Sequence, residues 1–486
     1  MSTRSRFHPA ALALLAALGG CDLLAPNLAE QPTTFLDSGQ FFRNADDALS
    51  ATKAIYGSLS EGGYYGTDFV VLTELQADYL DGRGSYTPAG NFRHDSRNIQ
   101  RIAGVWASLY GSINRANLVL KKVPGIQMDE TLKDQYLAEA RFLRALGYFH
   151  LVRLWGPVPL RTEPASSLDD LAAPRAPVDA VYTLIVEDLQ HAEASLPDHY
   201  GASDIGRATK WAAKMLLADA YLTREQWPQA AAKAAEVIES GQFSLVRVRQ
   251  ADDFLEVFGP TVLACPEEII AAKFVTGSGP QTSLVSFSNH QSAGYSTAGF
   301  RTLLGDTQSV VLSGWDTTDL RRAYNLYSAS PRDRQFLSAA EPELFKKYRD
   351  PSGNGGTDIY IYRYPEALLS FAEAQAMASG APTPAAYDAV NQVRRRAYGL
   401  DPNTPGPVDL AGLGLEDFRN AVLMERAHEF TLEAKRWFDL VRTRQALPVI
   451  QALNEPITEK NLLWPIPLEE LANNKALSLA DQNPGW

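Results

Sequence analysis

The sequence predicts a mainly α-helical protein, built on a tetratricopeptide-like repeat scaffold with irregular, loop-rich insertions and a few short strands. Apolar residues recur at helical spacing in many segments of the chain. Alanine-rich segments also alternate with large side chains, most clearly in KWAAKMLLADAYLTREQWPQAAAKAAEVIESGQF at residues 210–243. Because alanines let two helices approach closely, this segment predicts a pair of packed helices.

The other periodic segments follow in order, and proline or glycine residues mark where several of them stop. Turn residues directly after a periodic segment are typical of helix ends, so the boundaries can be placed from the sequence. The predicted helical segments are 42–59, 105–123, 132–155, 178–196 and the further pairs at 364–398 and 415–445.

Two regions interrupt this pattern and predict insertions in the scaffold. Residues 61–100 are rich in Gly, Tyr, Asp and Arg, and helical period fades over 241–362, where Gly, Ser, Thr and aromatics dominate from 276 to 316. Short strands are predicted at 268–275 and 358–362. Loops carried by a rigid scaffold are the usual place for binding. We predict one domain over 41–486, with scaffold at about 41–60, 101–240 and 363–486 and the binding portion at about 61–100 and 241–362.

The N-terminal residues are typical of an export signal. Arg4 and Arg6 precede an apolar run over 10–18 that is too short to span a bilayer. The run closes at Cys21 in a pattern that resembles a bacterial lipobox, in which the cysteine becomes the lipid-modified first residue. An ordinary signal peptide that happens to contain a cysteine is the alternative. We predict a signal peptide at 1–20 and a lipid-anchored tether at 21–40.

Charge and cysteine content narrow the function classes. The formal net charge is −12, which argues against nucleic-acid binding because such proteins need a basic footprint. The chain has two cysteines, Cys21 and Cys265. If Cys21 carries lipid, Cys265 has no partner for an internal disulfide.

Catalytic motifs are weak or absent in the sequence. Neither a phosphate-binding loop nor a glycine-rich dinucleotide turn is present. Glu425, Glu429 and Glu433 share a predicted helix face, with Arg426 and Arg436 nearby. We expect these charges to form an ion-pair network between helices, not a catalytic pair.

One segment, DPSGNGGTD at residues 350–358, resembles the opening of a calcium loop. Oxygen-bearing side chains stand at Asp350, Ser352, Asn354 and Asp358, but Ile361 replaces the final bidentate glutamate. A polar, glycine-rich turn is the alternative. No other cofactor or metal is expected.

Aromatic residues in the two insertions are the main candidates for ligand binding. They include Phe287 and Phe300, and polar residues are interleaved with them. Rings with an apolar face and a polar edge suit sugars, although local loop packing is the alternative for any single ring. The candidate ligand-binding residues are Tyr64, Tyr65, Asp81, Arg83, Tyr86 and Phe92 in the first insertion, and Asn289, His290, Tyr295, Trp315 and Asp316 in the second.

Several sequence blocks occur in an order that is specific in combination. They include INRANLVL (113–120), EARFLRALGYFHLVRLWGPVPL (139–160), IYRYPEALLSFAEA (361–374), ERAHEFTLEAKRWFDLVR (425–442) and LWPIP (463–467). Together with the cysteine at the end of the apolar run, they resemble the SusD/RagB family of nutrient-binding outer-membrane lipoproteins.

The resemblance implies a tetratricopeptide-like fold and a role without catalysis. Such proteins are lipid-anchored to the bacterial outer membrane, at the cell surface. There they cover a TonB-dependent, SusC-like barrel and capture glycans or peptides for import. The family's ligand residues carry no motif, so the binding candidates above rest on the loop aromatics alone.

Two other function classes remain open from the sequence. A surface glycoside hydrolase would need a pair of carboxylates within reach of one sugar bond. A helical-repeat scaffold that binds only proteins would bind neither saccharide nor peptide. The carboxylates available to a hydrolase are Asp68, Glu74, Asp78, Asp81, Asp306, Asp316 and Asp319.

Overall fold

Helices provide most of the regular backbone in this computed structural model. Residues from Asn44 to Trp486 form one unit. The predicted signal peptide, the tether and Cys21 lie outside the described part of the chain. The structure describes residues 41–165, 167, 169–277, 279–289, 294–297, 299–300, 302–328 and 343–486.

The scaffold helices pack largely in chain order. The helices are α1 (Ala45–Gly57), α2 (Asp68–Leu75), α3 (Ser96–Lys122), α4 (Glu130–Trp155), α5 (Val178–Ser195), α6 (Lys210–Thr223), α7 (Trp227–Glu239), α8 (Tyr364–Ser379), α9 (Pro384–Ala397), α10 (Leu415–Glu429) and α11 (Arg436–Arg442). Each helix from α3 to α7 contacts the next, and α8 contacts α7, α9 and α10. This arrangement confirms the predicted mainly α, tetratricopeptide-like fold.

Short helices connect these elements and lie mainly in the insertions and near the C-terminus. They are Thr87–Gly90, Leu255–Phe258, Leu284–Ser288, Val310–Ser313, Leu320–Asn325, Ala446–Gln451 and Leu468–Asn473. None of the described helices combines the length and the apolar character that crossing a membrane requires.

The alanine-rich pair behaves as its sequence predicts. Ala230 and Ala231 of α7 are buried in one cluster with Leu222 of α6 and Ala374 of α8. Trp227 packs against this cluster from the turn end of α7. Small side chains on one helix therefore receive large ones from its neighbours, which is the packing expected of closely spaced helices.

Two scaffold helices begin earlier than predicted because polar caps precede their apolar stripes. The Asp95 side chain accepts a hydrogen bond from the Asn98 amide, and α3 begins at Ser96, not near residue 105. In α4, Asp129 caps the Leu132 amide in the same way. Cap residues satisfy free amides at the first turn, so they extend a helix beyond its apolar pattern.

The first insertion is less irregular than predicted. It contains α2, whose residues from Phe69 to Leu75 are all buried. A helix that is surrounded by core on every side needs no polar face, so its sequence lacks the amphipathic period. The prediction of an irregular segment over the whole of 61–100 is therefore wrong at this helix.

The strands are short and form three small sheets among the described residues. The strands are β1 (Leu80–Gly82), β2 (Val158–Pro159), β3 (Arg175–Ala176), β4 (Glu268–Ala272), β5 (Leu303–Gly305), β6 (Leu326–Ser328), β7 (Glu343–Phe345) and β8 (Ile359–Arg363). The first sheet has the antiparallel order β1-β5-β7-β6, and β2 pairs with β3 in the second. In the third sheet β4 pairs with β8, which confirms both predicted strands with slightly different ends.

A buried ion-pair network joins β8 to the C-terminal helices. The guanidinium of Arg363, only 1% exposed, pairs with Glu267, Glu429 and Glu433 at 3.1, 2.5 and 2.8 Å. Arg396 of α9 also reaches Glu267 and Glu429. The expected ion-pair network between helices is confirmed, and it includes a strand as well. The predicted partners are wrong, however, because Arg426 pairs with Glu366 and Asp439 and Arg436 pairs with Asp78.

The predicted common helix face for the three glutamates is wrong at Glu433. Helix α10 ends at Glu429, and Leu432 and Ala434 then adopt positive φ angles. The chain therefore leaves the helix and brings Glu433 back toward Arg363 and Lys347. A helical wheel cannot show this turn, because the turn is stabilised by contacts with distant residues.

We expect Arg363→Met to lower the free energy of unfolding by about 3–5 kcal/mol, because three buried carboxylates would lose a shared cation. Urea unfolding followed by circular dichroism measures this loss. The control is Arg444→Met, whose side chain is 85% exposed and lies 3.8 Å from Glu225. That variant should change stability by about 0.5 kcal/mol or less. Equal losses in the two variants would contradict a central role for the network.

Stability should also fall in acid. Burial alone would raise the pKa of Asp439, but the charges of Arg426 and Arg442 outweigh it and lower the pKa to about 2 from the ordinary 3.8. Because the folded pKa is the lower one, this carboxylate stabilises the fold at neutral pH. That contribution is lost as the pH falls through the folded value.

The measurement compares the free energy of unfolding at about pH 6 and about pH 3. The loss between these conditions should be about 1 kcal/mol smaller in Asp439→Asn than in the unsubstituted protein. An identical pH dependence in both proteins would show that Asp439 does not have the lowered pKa.

Candidate ligand-binding surface

The two insertions meet along one pair of strands. Strand β1 of the first insertion pairs with β5 of the second, with Asp81 opposite Leu304. The Arg83 amide continues the pairing by donating to the Thr302 carbonyl at 2.8 Å. Segments that are far apart in the sequence therefore lie side by side at the end of this sheet.

Gly82 lets the chain fold back directly after β1. A Cβ atom at this position would lie 2.3 Å from the Tyr86 carbonyl oxygen, closer than any side chain tolerates. The tight return runs through the short helix Thr87–Gly90. It brings the Tyr86 ring next to residues of the second insertion.

Three aromatic rings follow one another from the core to the surface. The Tyr86 and Phe287 centroids are 5.5 Å apart, and those of Phe287 and Phe300 are 6.3 Å apart, both edge-to-face. Tyr86 is 7% exposed, whereas Phe300 is 60% exposed. The inner rings thus support an outer ring that is open to solvent.

Two arginines flank these rings. The Arg101 guanidinium carbon lies 3.6 Å from the Tyr86 centroid, a cation–π contact. Arg83 donates from Nη1 to the Phe300 carbonyl at 3.2 Å and so connects the two insertions. We call the surface formed by Arg83, Tyr86, Arg101, Phe287 and Phe300 the insertion platform.

Tyr86 is held in place at both ends. Its hydroxyl donates to Asp68 Oδ1 at 3.3 Å. Burial, followed by the charge of Asp68, raises the pKa of Tyr86 to about 12, so the hydroxyl keeps its proton and stays a donor. An exposed ring with guanidinium donors beside it can contact the apolar face of a sugar and its polar rim together.

The other candidates in the first insertion lie elsewhere. Tyr64 and Tyr65 are buried beside Phe69 and His150, and the Tyr65 hydroxyl is 3.1 Å from His150 Nε2. Their burial favours core packing over contact with a ligand. Phe92 is also buried, on the side of Trp437.

Asp81 lies two residues before Arg83, but it faces other carboxylates. Burial of the carboxyl, followed by the charges of Asp306 and Glu455, raises the pKa of Asp81 to about 6. Of the first-insertion candidates, the structure therefore brings Arg83 and Tyr86 into the platform and leaves Asp81 in an acidic neighbourhood.

Trp315 and Asp316 occupy another part of the second insertion. The Trp315 ring, 3% exposed, stacks on His428 at 4.4 Å and donates from Nε1 to Asp319. Asp316 is exposed and accepts hydrogen bonds from Thr318 and from the Tyr398 hydroxyl. Trp315 is thus a core residue, and Asp316 shapes its own loop.

Two further second-insertion candidates, Asn289 and Tyr295, do not join the platform contacts. Asn289 is fully buried and donates to the Val285 carbonyl. Tyr295 is half-buried, packs edge-to-face on Tyr327 and lies near Arg349. His290 lies outside the described residues. Ligand binding at these positions stays a prediction.

The calcium-loop residues do not converge on a cation position. Asp350 accepts hydrogen bonds from Ser352 and from the Gly356 amide, and Asp358 pairs with Lys273 at 2.8 Å. These donors take up the oxygens that a calcium ion would need. Within the described part of the chain, no cluster of His, Cys, Asp and Glu suits a metal either. The arrangement favours a polar turn, and calcium binding stays a prediction.

A separate cleft of about 620 Å³ lies between α3 and the C-terminal segment. Two of its polar side chains already have partners: Arg161 pairs with Glu470 at 2.6 Å, and Tyr110 donates to the Pro159 carbonyl. The insertion platform, in contrast, presents an exposed ring with donors beside it, and it is the stronger candidate for binding.

Phe287 and Phe300, which complete the platform together with Arg101, are among the loop aromatics of the sequence but not among its eleven candidate residues. Phe287 and Phe300 stand in the aromatic-rich second insertion, so composition could have suggested them. Arg101 has no such signal, because it lies on a scaffold helix and only tertiary packing brings it to Tyr86.

Comparison with known proteins supports the resemblance seen in the sequence. The family model described as "SusD family" matches residues 343–486. A second model, "Starch-binding associating with outer membrane", matches residues 81–222. The first model covers α8 to α11, and the second covers α3 to α5, most of α6, and the platform residues Arg83, Tyr86 and Arg101.

Full-length relatives and solved structures agree with the models. A SusD-like protein of Formosa agariphila is 29% identical, with 98% of each chain covered. A SusD homologue of Bacteroides thetaiotaomicron has a TM-score of 0.78 at 24% identity, covering 92% of this chain and 98% of the other. A SusD superfamily protein of Parabacteroides distasonis has a TM-score of 0.74 at 26% identity, with coverages of 93% and 100%. These matches in sequence and fold show that the chain belongs to the SusD/RagB family.

Proposed function

We propose that this protein is a glycan-binding lipoprotein that captures its ligand for import through a partner TonB-dependent transporter. The single observation that carries the proposal is the exposed Phe300 ring, supported by Phe287 and Tyr86 and flanked by Arg83 and Arg101. The outer-membrane and starch-binding description of the matching family model supports the same class of ligand.

Binding at the platform would combine two kinds of contact. A sugar ring stacks its C–H face on Phe300, while guanidinium N–H groups donate to hydroxyl or acidic oxygens at the rim. One exposed ring and two arginines offer a small contact area, so the affinity is weak to moderate. Such affinity suits a protein that must also release its cargo to a transporter.

The same proposal assigns no reaction to this protein. Three carboxylates available to a hydrolase are committed in the core: Asp78 pairs with Arg436, Asp319 pairs with Arg321, and Glu74 accepts a hydrogen bond from the Ala434 amide. Incubation with a glycan panel should release no new reducing ends. Their appearance would favour the hydrolase alternative.

We expect Phe300→Ala to weaken saccharide binding about tenfold without lowering the melting temperature, because the ring is exposed and its stacking is worth about 1–1.5 kcal/mol. Affinity electrophoresis and calorimetry measure the binding. Leu479→Ala is the control, because it removes an exposed apolar side chain outside the platform and should leave binding unchanged.

The variant Trp315→Ala tests whether this residue binds the ligand or packs in the core. Because its ring is buried against His428, the substitution should lower the free energy of unfolding by about 3–5 kcal/mol. Loss of saccharide binding with full stability in this variant would place the ligand at Trp315 and contradict the platform.

Membrane attachment is proposed to depend on lipid at Cys21. Replacing the thiol in Cys21→Ser removes the acceptor for the lipid, so the exported protein should move from the membrane fraction to the soluble fraction. Cell fractionation with blotting measures the shift, and Cys265→Ser serves as the control. Membrane retention of Cys21→Ser would contradict the anchor.

A further inference from the structure

The arginines of this protein divide into two groups that differ in their partners. Most arginines of the described chain pair with a carboxylate, for example Arg363, Arg396 and Arg426. Two members of the insertion platform, Arg83 and Arg101, form no ion pair with a described carboxylate. The described arginines without such a pair are Arg83, Arg93, Arg97, Arg101, Arg175 and Arg249.

Four of these six arginines fall within residues 83–101, in a chain whose net charge is −12. Arg97 lies one turn before Arg101 on α3, so both side chains project from the same face of the helix. Arginines without an ion pair are therefore concentrated in the segment that contributes Arg83, Tyr86 and Arg101 to the platform, although the protein as a whole is acidic.

The Arg101 guanidinium is held by hydrogen bonds to neutral acceptors and not by an ion pair. Its Nη1 donates to the Ser85 carbonyl at 3.0 Å and to Asn98 Oδ1 at 2.7 Å, and its Nη2 donates to Ser85 Oγ at 2.9 Å. The Tyr86 ring covers one face. A guanidinium has five N–H donors, so these neutral acceptors leave donors free for a ligand.

Arg83 makes fewer side-chain hydrogen bonds than Arg101, and it contacts Phe300, the exposed ring. It is half-buried, and its side chain donates a hydrogen bond from Nη1 to the Phe300 carbonyl. The remaining N–H groups of its fork are available in the geometry that matches a carboxylate or sulfate.

Two carboxylates near Arg101 accept hydrogen bonds from other groups. Asp68 Oδ1 accepts from the Tyr86 hydroxyl, and Asp95 Oδ1 caps the start of α3 by accepting from the Asn98 amide. Both acids feel the charge of Arg101, but neither forms an ion pair with it. An anionic group on a ligand would supply the missing partner for both guanidiniums.

We propose that the insertion platform prefers saccharides that carry carboxylate or sulfate groups, with the sugar stacked on Phe300 and the anion bound by Arg83 and Arg101. This inference rests on the proposed glycan-binding function and narrows its ligand class. Charge-assisted, bidentate contacts of this kind are stronger than hydrogen bonds to neutral hydroxyls.

The test uses oligosaccharides in matched pairs, measured by calorimetry with the full mature chain. Each uronate oligosaccharide is paired with its carboxyl-reduced form, and each sulfated one with its desulfated form, so that only the charge differs. The charged member of a bound pair should bind about tenfold tighter, as expected when a charge-assisted bond replaces a neutral one.

Arginine variants connect this preference to the platform. Arg83→Gln and Arg101→Gln should each weaken the charged ligand about tenfold and the neutral form by a smaller factor, so that the affinity ratio between charged and neutral forms falls. Arg101→Lys keeps the charge but loses the planar fork, so it should recover only part of the affinity. Lys122→Gln is the matched control, because it removes a positive charge on the same helix, roughly 32 Å from Arg101 along the axis.

The outcomes separate this inference from the broader function. Equal binding of charged and neutral forms, lost in Phe300→Ala, would overturn the anionic preference and leave glycan binding intact. If neither the charged nor the neutral oligosaccharide of any pair binds, both the anionic preference and the proposed glycan binding are overturned. Binding of polyglutamate in place of saccharides, with the same dependence on Arg83 and Arg101, would assign the platform to acidic peptides and also overturn the inference.

Discussion

The buried pairing of Arg363 with three glutamates is the interaction on which the rest of the structure depends. Taking one guanidinium and three carboxylates out of water is costly, and only a complete set of partners offsets that cost. The network therefore tolerates one arrangement of β8, α9 and the turn after α10. Because β8 also pairs with β4, the same contacts connect the helical scaffold to the second insertion.

This rigid frame gives the insertions a fixed place to meet. Strands β1 and β5 join them, and the return of the chain at Gly82 places Tyr86 against Phe287. Burial then separates aromatic rings that look equivalent in the sequence. Trp315 stacks inside the fold on His428, whereas Phe300 extends into solvent. Only a ring that is exposed to solvent, as Phe300 is, can contact a ligand.

Part of the candidate surface could be predicted from the sequence, and part could not. Arg83 and Tyr86 were found because they stand in an aromatic-rich loop. Tyr64 and Tyr65 have the same composition signal, yet they pack beside His150 in the core. Composition could not indicate Arg101, because this residue belongs to a scaffold helix. Composition reports which side chains a loop contains, but only packing decides which of them face water and which lie beside each other.

The sequence by itself determined the helical scaffold, the alanine-rich pair and the family, because helical period and block order are local properties of the chain. It also predicted the network around Glu429, since unpaired charges at that density need partners. The tertiary structure alone decided the burial of α2, the turn that brings Glu433 to Arg363, and the register of β1 on β5. These features depend on contacts between residues that are far apart in the chain, and no local pattern encodes such contacts.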